Sequence, residues 1–177
     1  QEAGSILREL SKREKQACEE LSQLKAGNKA YPKNLENARA YIKRRLLEEC
    51  KRSVEVHVLS DLLDIRNDEW RNAVEGYLAG SKLSLVVAPA YAMEIYGELD
   101  RREYWNVAVL DTEKASKAAP PIFENALSKE VEVREDYLRP FIDMLLGKVI
   151  KCRGIEELRK NRTGITPDCM LYRNYRL

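Results

Sequence analysis

The sequence predicts an α/β (α+β) domain of two similar half-domains behind a helical arm. Three observations carry this. A heptad-like apolar stripe runs through the first segment. The order helix–glycine–strand occurs twice, at WRNAVEGYLAGSKLSLVV (residues 70–87) and at YLRPFIDMLLGKVIKC (137–152). The chain then closes on strand-like segments around a Thr166-Pro167-Asp168 turn.

The arm comes first. Ala3, Leu10, Ala17 and Leu24 recur every seven residues with Ile6 in a matching position, although Arg13 and Glu20 interrupt the seam. Gly27-Asn28 stops this helix and Pro32 restarts it near the favoured first-turn position. The second helix, from about Pro32 to Lys51, sets Leu35, Ala38, Ile42 and Leu46 on one stripe. Residues 1–52 thus read as a coiled-coil arm with a break near 27–32, or as a helical hairpin packed on the domain. The pattern alone fits both.

From Val54 the period changes. VEVHVL alternates Val54, Val56 and Val58 against Glu55 and His57, as a half-buried strand does. Asn67 or Asp68 can cap a helix starting near Trp70, whose face carries Trp70, Ala73, Val74, Tyr77 and Leu78. Gly80 stands where a left-handed helix terminator belongs. LSLVVAP is a short apolar run suited to a strand covered on both faces, and Pro89 ends it. YAMEIYGELDRREYW reads as a helix and WNVAVLD as a second buried strand. This gives a first lobe over residues 53–116. EKASKAAPPIF is a linker, and residues 117–177 form a second lobe. There Leu138, Ile142, Leu145 and Leu146 stripe a helix, Gly147 stops it, KVIKC is a strand, and GIEELRKNR is a short charged helix.

The composition excludes several functions. Apolar residues make up 44% and charged residues 34% of 177, and the net charge of +2 gives no global attraction to nucleic acid. No apolar run approaches the ~18 residues of a membrane span. The start, QEAGSILREL, has no apolar signal core and no initiator Met, which suggests a fragment of something longer. Cys18, Cys50, Cys152 and Cys169 form no CxxC pair and His57 is the one histidine, so a zinc site is not expected. Reduced, structural thiols in a cytosolic chain are expected instead. No glycine-rich loop follows a strand and no GxxxxGK[ST] occurs, so neither nucleotide nor other cofactor is expected.

Three kinds of function remain. An enzyme would draw on Asp61, Asp64, Asp111 and Glu113, with LDTEK after a buried strand as its most suggestive spot. It requires these carboxylates to converge in a cleft, where solvated caps would not. A nucleic-acid-binding module would use Lys148, Lys151, Arg153, Lys160 and Arg162, together with Lys43, Arg44 and Arg45 on the arm. Tyr172 and Tyr175 interleave with Arg173 and Arg176, which suits either base stacking or alternate strand faces. A dimerisation module would pair strand edges at Lys148–Cys152 and Ile165–Tyr172, with Gly147, Val149, Ile150, Ile165, Thr166, Cys169 and Leu171 at the contact.

The order of arm, two helix–glycine–strand lobes and terminal turn resembles the hinge domain of SMC-type ATPases. EVHVLSDLLDI, EWRNAVEGYLAGSKLSLVVAP, NVAVLDTEK and GITPDCMLYRNYRL are similar to one branch of it, the JetC subunits of Wadjet plasmid-defence systems, kin of the MukB and MksB condensins. The likeness covers about residues 54–177. The family's T-x-D-G turn stands here as Thr166-Pro167-Asp168-Cys169, its glycine replaced. The resemblance implies a two-lobed hinge fold and a non-catalytic homodimerisation module, with the ATPase head elsewhere in the parent chain. It implies action in DNA loop extrusion and defence against plasmids, other condensin subunits as partners, weak non-specific DNA contact, and a bacterial cytoplasmic, DNA-associated location. Without that context, the residues read as a small α/β nucleic-acid- or ligand-binding domain.

Overall fold

The computed structural model describes residues 2–25, 31–96, 104 and 106–177. It divides into two units, residues 1–36 and 37–177. The first unit holds helix α1 (Glu2–Lys25), on which Ile6, Leu7 and Leu10 are exposed and Arg13 pairs with Glu9 at 2.9 Å. The break expected at Gly27-Asn28 lies outside the described residues.

Helix α2 (Lys33–Cys50) has its length from Asn37 onward in the second unit, where Ala38, Ile42 and Leu46 are buried as their spacing predicts. Arg39 Nε donates to the Val56 carbonyl at 2.6 Å, and the Tyr41 and Tyr104 rings lie 5.7 Å apart. The rest of this unit is two lobes that share one run of elements, 3-10 turn, strand, 3-10 turn, helix and strand. The first lobe runs β1 (His57–Val58), a 3-10 turn (Leu59–Leu62), β2 (Leu63–Ile65), a 3-10 turn (Asp68–Trp70), α3 (Arg71–Leu78), β3 (Leu85–Val86), α4 (Ala92–Tyr96) and α5 (Thr112–Ala115). The second runs a 3-10 turn (Leu127–Glu130), β4 (Val131–Val133), a 3-10 turn (Asp136–Leu138), α6 (Arg139–Leu146), β5 (Ile150–Lys151), α7 (Ile155–Arg159), β6 (Thr163–Ile165) and β7 (Leu171–Arg173). From the first 3-10 turn to the end of the helix the copies stand 68 residues apart: Leu59–Leu78 corresponds to Leu127–Leu146.

The copies meet at an internal two-fold. β2 pairs antiparallel with β4, and the central partners Asp64 and Glu132 are each other's equivalents. The Arg66 and Arg134 amides, also equivalent, donate to Glu130 and Leu62 at 2.8 and 2.9 Å. Across the same axis Arg66 pairs with Glu132 at 3.3 Å and Arg134 with Asp64 at 3.0 Å. The core is exchanged between the copies. Trp70 of the first lobe is buried with Leu127, Val131, Ile142, Leu146 and Val149 of the second, while Leu138 of the second is buried with Leu59, Leu62 and Val86 of the first.

Several expectations need correction. The strand at VEVHVL shrinks to His57–Val58, although Val54, Val56 and Val58 are buried in alternation. WNVAVLD is no strand: among its described residues only Val109 bridges, in parallel, to Leu85, and Ala108 is exposed. Its pairing is confined to Leu85, whose amide donates to the Ala108 carbonyl at 2.8 Å and whose carbonyl accepts from the Leu110 amide at 3.0 Å. The left-handed exit from α3 falls on Ala79 (φ 44°), one residue before Gly80. Gly147 has an ordinary φ of −69° and serves close approach instead, since a Cβ there would lie 2.8 Å from the Pro121 carbonyl oxygen. Glu113, Lys114 and Ala115 of the expected linker are helical, because Asp111 accepts the Lys114 amide at 3.1 Å and caps α5. The helix expected at YAMEIYGELDRREYW is described only as α4, and its remainder is mostly outside the described residues. Asn67 does cap the turn into α3, accepting the Glu69 amide at 3.1 Å.

Candidate interaction surfaces

The second lobe ends in a three-stranded sheet, β5–β6–β7, with β5 parallel to β6 and β7 antiparallel to it. β5 also bridges to Ala126 on its other side. Both its edges are therefore occupied within the protomer, and Val149, Ile165 and Thr166 are buried there. Gly147 is buried too, Ile150 is half-buried, and Cys169 and Leu171 are half-buried toward the outer strand. Of the seven residues expected at a dimer contact, Leu171 alone belongs to the outermost strand. The register pairs Gly164 with Tyr172 and Ile165 with Leu171. Asn174 N donates to Arg162 O, which turns the groups of Leu171 away from β6 by alternation.

Beyond β7 the chain reverses at Asn174-Tyr175, both at positive φ (51° and 65°), with Arg173 and Arg176 exchanging bonds of 2.9 and 3.1 Å. This is the two-residue hairpin turn whose twist matches that of strands. The TPD turn also holds its shape without glycine. Cys169 takes φ 68°, its amide donates to the Thr166 carbonyl at 2.9 Å, and its sulfur lies against Gly76 of α3, where a Cβ would collide with it.

The eight expected DNA-binding cations separate by what they already hold. Lys151 lies 2.7 Å from Glu130, and both side chains are largely buried (16% and 13% exposed). Arg153 pairs with Glu69, and its guanidinium stands 5.3 Å from the Trp70 ring centroid, with Lys151 Nζ at 5.6 Å. The hydrogen bond to Arg153 holds the Glu69 carboxyl below its ordinary value. On α2, Lys43 lies 3.7 Å from Glu55, Arg45 holds Glu48 and Glu49, and Arg44 covers Tyr41 at 5.6 Å. Lys148, Lys160 and Arg162 are exposed and have no carboxylate partner among the described residues. Lys160 and Arg162 line a cleft of about 500 Å³ together with Arg159, Asn161, Tyr172, Asn174 and Tyr175. Arg159, the last residue of α7, belongs to the same basic run in the sequence and joins Lys160 and Arg162 at the cleft.

The carboxylates of an enzyme reading serve elsewhere. Asp111 caps α5, Glu113 pairs with Lys117, and Asp64 pairs with Arg134. Among the described residues no group of three or more His, Cys, Asp and Glu could hold a metal ion, and no helix is long and apolar enough to cross a membrane. The four cysteines are free thiols. Burial raises the Cys152 thiol, and a hydrogen bond to Glu94 raises that of Cys50.

Two lobes related by an internal two-fold, behind a helical segment, define a pseudo-symmetric α+β module. Comparison with solved structures identifies the fold as that of SMC hinge domains. An asymmetric dimer of the Geobacillus stearothermophilus SMC hinge domain matches 97% of this chain over 76% of its own, with a TM-score of 0.56 and 19% identity. The Pyrococcus furiosus SMC hinge domain matches 80% over 84% of its own, with a TM-score of 0.54 and 20% identity. A structure of the folded elbow of cohesin matches 82% over 22% of its own, with a TM-score of 0.60 and 19% identity. No protein-family model and no curated protein matches the chain.

Proposed function

We propose that this chain is the hinge of an SMC-like ATPase: a non-catalytic dimerisation module at the far end of coiled-coil arms, with the ATPase head elsewhere in the parent chain. The observation that carries the reading is the hinge fold itself, two exchanged lobes behind a helical segment. The exposed Ile6, Leu7 and Leu10 on α1 support it, since such a stripe suits a partner helix. Within the SMC class we place the chain with the JetC hinges of Wadjet systems. There the parent complex would extrude DNA loops with its other condensin subunits and act against plasmids in a bacterial cytoplasm. That step rests on the quoted sequence stretches.

The open backbone groups support a homodimer through strand edges. In the first lobe Leu85 N donates to Ala108 O at 2.8 Å and Leu110 N to Leu85 O at 3.0 Å, which leaves Val109 with outward groups and no described neighbour. In the second lobe the backbone groups of Leu171 face away from β6. Joining the Val109 edge of one copy to the Leu171 edge of the other, twice, closes a two-fold ring. Light scattering at tens of micromolar should give twice the 20.5 kDa chain mass. Val109→Pro removes one outward N–H and should halve that mass with the helical signal unchanged. A wild-type mass of 20.5 kDa would sink the dimer.

The same reading gives the second lobe a weak DNA contact through Lys148, Arg159, Lys160 and Arg162, independent of sequence and steeply salt-dependent. Absence of binding by the wild type at low salt would remove it.

A further inference from the structure

We infer that the second lobe carries a seat for a partner protein's amphipathic helix with an acidic flank, over the cleft framed by Ile122, Lys129 and Arg66. The inference goes beyond the hinge reading and uses neither its strand edges nor its DNA contact.

The internal repeat holds the seat filled once and open once. The Leu59 and Leu127 amides donate to the Ser84 and Val149 carbonyls at 2.9 and 2.7 Å, so the segments that lead into them are equivalent, residues 54–58 with residues 122–126. In the first lobe α2 lies on this segment. Arg39 Nε donates to the Val56 carbonyl, Lys43 stands 3.7 Å from Glu55, and Val54 and Val56 are 6% and 1% exposed. In the second lobe Ile122 and Phe123 are 45% and 46% exposed. Adjacent apolar side chains left open beside charged ones mark a protein contact.

Charge specifies the occupant. In the first lobe the bond and charge of Asp64, and then the charge of Asp61, raise the Arg134 guanidinium above its ordinary value, so this corner is balanced. The equivalents of Arg134 and Asp61 are Arg66 and Lys129, two cations. Arg66 has Glu132 at 3.3 Å, whereas Lys129 has no carboxylate partner among the described residues and donates to the Glu124 carbonyl at 2.6 Å. The cleft of about 380 Å³ beside them is also lined by Ser128, Val131 and the pair Arg139–Asp143, 2.8 Å apart. Ser128 is 1% exposed and its hydroxyl has no partner among the described residues, so an entering carboxylate gains a donor. The repeat has exchanged an acid for a base at one position, and the open lobe takes its acid from outside.

A helix fits this seat and a strand does not. The Val131 amide donates to the Ser128 carbonyl, and the Val131 carbonyl accepts from Arg139 Nη1 at 2.6 Å, so β4 offers an added strand no open group there. A helix laid as α2 is laid needs no backbone partner. It reaches the cleft with apolar residues three and four apart and carboxylates along one flank.

Fluorescence anisotropy on the full chain tests this with a labelled peptide of residues 33–50 carrying Arg39→Glu, Lys43→Glu and Arg44→Glu. A chemical staple keeps so short a helix folded. The acidic peptide should bind at least about tenfold more tightly than the stapled peptide without these substitutions. Lys129→Asp, which writes in the first lobe's residue, should weaken it by about tenfold, and Lys129→Gln, which keeps a donor for the Glu124 carbonyl, by about threefold. Ile122→Ser with Phe123→Ser should weaken it by about tenfold. Reversal of Arg159, Lys160 and Arg162 to Glu should leave it unchanged. The seat is overturned if neither peptide binds, if both bind equally, or if binding survives Lys129→Asp or is lost with Arg159, Lys160 and Arg162. If Ile122→Ser with Phe123→Ser halves the mass in solution, a second copy covers this face and the partner helix is wrong, while the hinge reading stands.

Discussion

In the first lobe, Leu138 is buried with Leu59, Leu62 and Val86; at the corresponding places of the second lobe, Trp70 is buried with Leu127, and Glu130 and Lys151 stand where Leu62 and Val86 do, with Lys151 Nζ 5.6 Å from the Trp70 ring centroid. The two joints share a backbone and one inserted apolar residue each. Leu62 and Val86 beside Leu138 are apolar, whereas their equivalents Glu130 and Lys151 form a largely buried ion pair, with the Glu130 Oε2 atom left without a partner. The internal repeat therefore supplies its own control. The fold needs two side chains at this seat that fit each other, and it does not need them charged.

The largest expected effect breaks that comparison. Lys151→Val alone leaves Glu130 buried without its cation and should cost about 3–5 kcal/mol in chemical denaturation. Writing the first lobe's pair into the second, Glu130→Leu with Lys151→Val, should recover that loss and leave the protein as stable as wild type or about 1–4 kcal/mol more so. A double variant as unstable as the single one would show that the lobes are not interchangeable at this seat.

A second difference lies at the helix exits. Gly147 has Pro121 and Asp143 carbonyls against it, while Gly80 has nothing within 4 Å. Gly147→Ala should destabilise by about 1–3 kcal/mol through overpacking, and Gly80→Ala should change thermal stability little. At the left-handed position, Ala79→Gly should stabilise by about 1 kcal/mol. Equal losses at the two glycines would contradict the contrast.

These contrasts show what was legible. Apolar spacing located the helices that bury Trp70, Val74, Ile142 and Leu146, because a helix face is a local pattern. The Asn67 cap and the TPD turn were legible for the same reason. Strand lengths were not, since β1, β3 and β5 are each as long as their neighbours allow and those neighbours are remote in sequence. The basic cluster was legible as composition only. Arg153 and its partner Glu69 stand 84 residues apart, and no local rule separates that cation from the exposed Lys160. The 68-residue repeat left traces in Arg66/Arg134 and Arg71/Arg139, but most of its equivalent positions differ in residue type.

A smaller effect sharpens the view that the lobes are tied to each other. Gly76 of α3 faces Cys169 of the second lobe's turn. Gly76→Ala should cost about 1–3 kcal/mol, and Cys169→Gly should restore most of it by withdrawing the sulfur and easing the φ of 68°. Additive effects in that double-mutant cycle would mean that the contact carries no coupling.

The smallest effect is one of pH, and it again sets equivalent positions against each other: Glu69 in the first lobe and Tyr137 in the second. The hydrogen bond from Arg153, aided by its charge, lowers the Glu69 pKa in the folded state. A lowered carboxyl binds fewer protons folded than unfolded, so its contribution is present above the ordinary value of 4.5 and fades as pH falls through the lowered one. Tyr137 has the opposite sign: burial, then Glu135, pushes its hydroxyl from 10 up to about 12. Its contribution is intact below pH 10 and is lost as pH rises toward 12. Glu69→Gln should therefore narrow its stability gap to wild type as pH drops from about 6 to 3, and Tyr137→Phe should differ from wild type increasingly above pH 10. The pair Glu69–Arg153 is exposed to solvent, so the acid-side gap should also shrink with added salt. A Glu69→Gln gap that stayed constant from pH 6 to pH 3 would remove Arg153 from the joint and leave Trp70 held by packing and Lys151 alone.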